Sequence, residues 1–125
     1  MPDWAVVQGF EALGYIPSIL EKGYDYQPSR RRFYGVPGLY RTKPYGIEYR
    51  VPSNILVQVP DCVEDATSVV TDIINKPKKF EEIWSKIDFA MVQDIIRTEM
   101  DCRGGNVTLE ILRELRAELK AAPNE

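Results

Sequence analysis

The spacing of hydrophobic residues changes twice along this chain. Val6, Val7, Phe10 and Leu13 recur at helical intervals. Between Arg30 and Val59 apolar and polar positions alternate, and from Cys62 onward the helical interval returns. The first stretch predicts an N-terminal helix. Asp3 can cap its free amides and suits the positive end of the helix dipole. Gly14 is expected to end it, and Pro17 to open a short second turn, PSILEK, that stops at Gly23.

The alternating stretch reads as up to four short strands: RRRFYG, LYRT, GIEYRV and ILVQV. In the third, Ile47, Tyr49 and Val51 point one way and Gly46, Glu48 and Arg50 the other. Pro37-Gly38 and Lys43-Pro44-Tyr45-Gly46 are turn sequences, and Pro52-Ser53-Asn54 suits a hairpin. Frequent prolines favour edge strands, so a narrow antiparallel meander over about 31–59 is expected.

Beyond Pro60, Asp61 and Glu64 form a start resembling a capping box, followed by a stripe of Cys62 or Val63, Ala66, Val70 and Ile73 or Ile74. Pro77 stops that helix. Phe80, Ile83, Trp84 and Ile87 give the next amphipathic segment. Asp88 then caps a helix carrying Phe89, Val92, Ile95 and Ile96, which ends at Gly104-Gly105. Asn106 or Thr108 caps a last helix to about Ala122 that buries Leu109, Leu112, Leu115 and Leu119, leaving Pro123-Asn124-Glu125 as a frayed tail. Strands and helices are segregated instead of alternating. The fold class is therefore α+β: an N-terminal helix, a small antiparallel sheet and a C-terminal half of about four helices. The 125 residues fit a single globular domain. Trp4, Phe10, Ile47, Tyr49, Ile55, Val57, Trp84, Val92, Ile95, Leu112 and Leu115 are expected in its core.

Composition narrows the function more than it names one. At 44% hydrophobic and 28% charged, the chain resembles ordinary globular proteins and not disordered ones. No apolar run reaches the roughly 18 residues of a membrane span, and the first residues lack the basic region of a signal peptide. An intracellular protein with no membrane partner is expected. Cys62 and Cys102 make no metal spacing; in a reducing compartment they read as small apolar thiols, with a single disulfide as the alternative. The chain has no histidine, which removes the commonest general base and zinc ligand. No catalytic residue, metal site or cofactor is expected. Asp61, Glu64 and Asp65 fit a helix's first turn without any ion.

The net charge of −3 hides a division, since positions 24–59 carry +4 and the remainder −7. Arg30, Arg31, Arg32, Tyr34, Tyr40, Arg41, Lys43, Tyr45 and Arg50 make the alternating stretch rich in arginine and tyrosine, residues enriched at binding hot spots. The same mixture of cations and aromatic faces suits single-stranded nucleic acid. A purely internal use, with arginines stacked on tyrosines and paired with acidic helices, is the third reading. Pro37 interrupts any RNA-recognition strand motif in RRFYGVPGLY. On the last helix, Glu110, Glu114 and Glu118 stand at i, i+4 and i+8 as an acidic column, a second candidate contact. LEILRELRAELK is too balanced in charge to serve as a DNA-reading helix. The expected function is a non-enzymatic protein-binding module, a small accessory or structural subunit of a larger assembly. The alternatives are an inhibitor of immunity or anti-defence type, directed at a basic target, and a nucleic-acid-binding module using the basic sheet.

Overall fold

The computed structural model describes residues 3–22, 38, 40–49, 60–98 and 107–125. Five α-helices, a π-helical stretch and a two-stranded antiparallel sheet appear among them, an α+β arrangement. Helix α1, Asp3–Phe10, runs without a break into a π-helix over Glu11–Leu20. The hairpin is β1, Tyr40–Lys43, and β2, Gly46–Tyr49. Helices α2 (Pro60–Asn75), α3 (Pro77–Trp84), α4 (Phe89–Thr98) and α5 (Val107–Ala121) complete it.

The π-helix is the hub. All ten of its residues are buried, and it packs against α1, α2, α4 and α5. A segment enclosed on every side has no need of a polar face, which explains the nearly continuous apolar run ALGYIPSIL. The break expected at Gly14 does not occur. A Cβ there would lie 3.0 Å from the Phe10 ring and 3.1 Å from the Ala66 carbonyl, so this glycine permits close packing on α2 instead of ending the helix. Pro17 lies inside the helix. In an α-helix its ring would strike the carbonyl four residues back. The wider π-turn, seen where Glu21 N–H donates to Ile16 O at 2.8 Å, has a different ladder.

Gly9 serves a second close approach. A Cβ on it would overlap the Phe80 ring and touch Ile73 Cδ1 at 3.0 Å. Gly9→Ala is therefore expected to destabilise the protein by about 1–3 kcal/mol through overpacking, despite alanine's better helix propensity. A denaturant midpoint equal to or above the parent's would contradict this.

Leu109, Leu112, Leu115 and Leu119 on α5, and Val92, Ile95 and Ile96 on α4, are buried as their spacing predicts. Asp88 accepts from Met91 N–H at 3.3 Å, capping α4. On α2, Cys62, Ala66, Val69 and Ile73 face inward and Ile74 stands 68% exposed. Pro77 both ends α2 and opens α3. Trp4 departs from expectation at 45% exposure, because the first turn of α1 reaches the rim. There its ring meets that of Trp84, with centroids 5.2 Å apart and planes tilted by 52°. Phe10, Ile47, Tyr49 and Trp84 are half-buried.

The tail is not frayed. Both carboxylate oxygens of Glu125 accept backbone N–H groups at the start of α3, from Lys78 at 2.9 Å and Lys79 at 3.0 Å. Glu125 N–H donates to Asn75 O at 2.9 Å. The carboxylate thus caps a helix start far from it in sequence. The expected strands over 30–35 and 55–59, the loop over 24–29, the turn at 52–54, the glycine stop at 104–105, the capping Asn106 and the core residues Ile55 and Val57 lie outside the described residues.

Candidate interaction surface at the hairpin and the α1–α2 hollow

The hairpin is held at its base by a buried carboxylate. Glu11, fully buried at the first position of the π-helix, accepts at Oε2 from the Tyr49 hydroxyl and from Gly38 N–H, each at 2.7 Å. Gly38 has φ of +81°, a left-handed conformation that favours glycine, and a Cβ there would sit 2.9 Å from Gln93 Nε2. The Tyr49 ring meets Phe10 and Tyr15 edge-on, with centroids 5.3 and 6.1 Å apart. An ionisable group taken out of water needs such partners, so one residue ties strand β2 and the Gly38 turn to the helical body.

The register pairs Tyr40 with Tyr49, Arg41 with Glu48, Thr42 with Ile47 and Lys43 with Gly46. Side chains alternate as expected. Ile47 and Tyr49 turn toward α1 and α2, while Arg41 and Lys43 share Glu48 on the opposite face, at 3.2 and 3.6 Å. Tyr45, at the tip between Pro44 and Gly46, is 84% exposed. The inner face of the hairpin forms one wall of an apolar hollow of about 320 Å³. Val6, Val7 and Phe10 of α1 form the second wall and Val63, Ala66, Thr67 and Val70 of α2 the third, with Ile19 beneath. A second hollow, about 460 Å³, opens between Trp4 and Trp84 over Pro77.

Of the residues singled out in the sequence, Tyr40, Arg41, Lys43 and Tyr45 are gathered on this hairpin. Arg30, Arg31, Arg32, Tyr34 and Arg50 lie outside the described residues. The acidic column on α5 is divided. Glu110 and Glu114 are exposed, whereas Glu118 binds Lys79 at 2.7 Å and approaches Lys86 at 3.9 Å. Arg113 pairs with Glu21 while remaining exposed, and Arg116, largely covered, binds Ser18 and Asp65.

These pairs set the acid response. The hydrogen bond from Lys79 holds the Glu118 carboxyl below the usual carboxylate range, against a smaller opposing effect of burial, and the same bond raises Lys79. Burial pulls the Asp65 carboxyl up, but hydrogen bonds from Ser18 and Arg116, with the charge of Arg116, outweigh it and leave the group lowered. A carboxyl lowered by folding contributes stability that is full above the unfolded value, about 4, and is lost as pH falls through the folded value. The Lys79 contribution runs the other way and is lost only at strongly alkaline pH. Thermal melts from pH 7 to pH 3 should therefore fall less steeply for Asp65→Asn/Glu118→Gln than for the parent. Parallel acid limbs would contradict the assignment.

Cys62 is a free, buried thiol that contacts the Ser18 carbonyl, and burial pushes its ionisation up. Cys102 lies outside the described residues. Among the described residues no group of three or more Cys, Asp and Glu could hold a metal ion, and no helix is long and apolar enough to cross a membrane. The hollow and its buried anchor were not foreseen from the sequence. A single glutamate inside the apolar run from Phe10 to Leu20 was the available signal for Glu11. No protein-family model, curated protein or solved structure matches the chain.

Proposed function

We propose that this chain is a non-enzymatic protein-binding module, a small accessory subunit of a larger assembly, whose contact surface is the hairpin and the adjoining hollow. The observation that carries the reading is the hollow itself. It is an apolar recess of about 320 Å³, walled by half-buried Val6, Phe10, Ile47, Tyr49, Val63 and Val70, beside a hairpin tip with Tyr45 84% exposed. Recesses that accept an apolar anchor beside a presented tyrosine are how few residues supply most of an interface's energy. The anchoring of Tyr49 on Glu11 supports it, since a preorganised surface loses less entropy on binding. Arg41 and Lys43 both engage Glu48, which weakens the case for a phosphate backbone as ligand. An intracellular setting belongs to this reading and is supported by the free Cys62 thiol.

The inhibitor reading has its own support in the exposed Glu110 and Glu114 on α5. The two separate by mutation. Tagged protein recovered from its native lysate with nuclease present should retain a stoichiometric protein companion. Tyr45→Ala/Arg41→Ser should lose that companion at an unchanged melting temperature, and Glu110→Lys/Glu114→Lys should keep it. The reverse pattern would move the contact to α5. A companion that disappears with nuclease would replace both readings with nucleic-acid binding.

A further inference from the structure

The second hollow, between α1 and α3, uses a different side of α1 from the first. Trp4 and Ala5 line it, whereas Val6, Val7 and Phe10 line the hollow beside the hairpin. Its volume of about 460 Å³ is that of a small-molecule site, and its lining is mostly apolar and aromatic. Both tryptophans of the chain belong to it. Their rings are tilted by 52° to one another, with Trp4 exposed and Trp84 half-buried. Trp84 is held in place: its Nε1–H donates to Gln8 Oε1 at 3.3 Å, and its ring packs on Phe89 with centroids 5.7 Å apart. Phe80, fully buried against Gly9, is fixed as firmly.

One carboxylate stands within these walls. Pro77, Glu81 and Trp84 follow at i, i+4 and i+7 on α3, so they share the face that lines the hollow. The neighbouring charges pair with one another: Lys79 engages Glu118 at 2.7 Å and Glu82 at 3.6 Å, and Lys86 approaches Glu82 at 3.8 Å. Among the described residues no ion pair takes up Glu81.

This combination selects a ligand chemistry. A neutral apolar ligand would strip water from the carboxylate and return nothing, and an anion would be repelled by it. A bare ammonium would bring N–H donors into a lining that offers one carboxylate. A quaternary ammonium has no N–H group to satisfy. Its methyl groups suit Pro77 and Phe80, and its charge is attracted both by Glu81 and by indole rings. Lys78, which also lines the hollow, opposes such a ligand, and its removal becomes part of the test.

We propose that the α1–α3 hollow binds a small quaternary ammonium compound, packed against Trp4 and Trp84 with Glu81 as its counter-ion. The site is separate from the contact surface proposed above and does not depend on it.

The probe is choline, and its control is the neutral alcohol in which carbon replaces the nitrogen. Because the chain has no tryptophan elsewhere, intrinsic fluorescence reports on this hollow alone. Choline should give a saturable change with a dissociation constant in the low-millimolar range or below, about tenfold or more tighter than the alcohol. Equilibrium dialysis with labelled choline then compares variants. Trp4→Leu should reduce affinity about tenfold and Glu81→Gln severalfold, whereas Lys78→Gln should increase it. Glu110→Gln makes the same charge change on the exposed face of α5 and should leave affinity unchanged. Melting curves establish that all four variants fold.

Equal affinity for choline and the alcohol would reduce the site to an apolar recess and overturn the proposal. Equal loss in Glu81→Gln and Glu110→Gln would show attraction by net charge and overturn it as well, as would the absence of saturation in the low-millimolar range. A short peptide carrying one trimethyllysine, if bound far more tightly than choline, would overturn the assignment to a free small molecule.

Discussion

Replacing Lys76 with methionine is expected to lower stability by about 2–4 kcal/mol, on the order of 10 °C in melting temperature for a chain of this length. Lys76 is only 4% exposed. Its ammonium donates to the carbonyls of Leu119 and Lys120, at 2.9 and 3.0 Å, and pairs with Asp72 Oδ1 at 3.2 Å. The two carbonyls belong to the last turn of α5, where the helix leaves acceptors unsatisfied and its dipole is negative. All three donor positions of the ammonium are therefore used at a junction that joins α2, α3 and α5. Methionine retains the apolar stem but strips a partner from the helix end and from Asp72. Removing one side of a buried charge arrangement costs more than the arrangement contributes in net terms. Asp72→Asn should cost less, because both carbonyl bonds survive. A Lys76→Met protein melting within 2–3 °C of the parent would mean that water reaches these carbonyls.

Lys76 also shows why some of the structure was legible in the sequence and some was not. The α5 leucines announce their helix because four of them repeat at three or four residues, and period is a local property. The same holds for the outer and inner faces of β2 and for the cap at Asp88. Nothing local marks Lys76 as buried, since its environment comes from helix-end carbonyls 43 and 44 residues later. Glu125 is misread for the same reason: its role as a cap exists only because the end of α5 returns to the start of α3.

The π-helix defeated local rules in a different way. Gly14 as a stop signal and Pro17 as the start of a new turn are valid readings when a helix has water around it. Here the burial of ten consecutive residues outweighs both, and glycine's missing side chain is what lets α2 approach. Trp4, expected in the core, is 45% exposed. Large aromatic residues are often half-buried, and this one forms a rim pair with Trp84.

At the candidate site, the basic and aromatic character of Tyr40, Arg41, Lys43 and Tyr45 was readable because it is compositional. The hollow was not, because its walls come from three separate parts of the chain. Glu118 looked equivalent to Glu110 and Glu114 until α3 brought Lys79 beside it. A repeating column of charge is thus a statement about one helix, and its availability is decided by the neighbours.

The second large effect concerns Glu11. Glu11→Leu is expected to cost about 3–5 kcal/mol and to loosen the hairpin before the helical body unfolds. Leucine fills most of the volume and suits the apolar surroundings, so the loss would come from polar partners. Tyr49 O–H and Gly38 N–H, both now donating to Oε2 at 2.7 Å, would be left in a site where water does not replace the acceptor. Tyr49→Phe keeps the ring contacts with Phe10 and Tyr15 and removes only one of these bonds, for an expected cost of about 1–1.5 kcal/mol. Hydrogen exchange gives the sharper readout. In Glu11→Leu the amides of 40–49 should exchange much faster, while those of α5 change only by the global loss of stability. Uniform acceleration across both would mean that Glu11 stabilises the whole core and not the hairpin in particular. The consequence for binding follows from the same geometry. If the hairpin and hollow form the contact surface, Glu11→Leu should weaken retention of the protein companion through the lost position of Tyr49 and Ile47, although neither of those residues is changed. Tyr49→Phe, which retains the packed ring, should bind almost as the parent does. Equal weakening by the two would trace binding to the phenol itself.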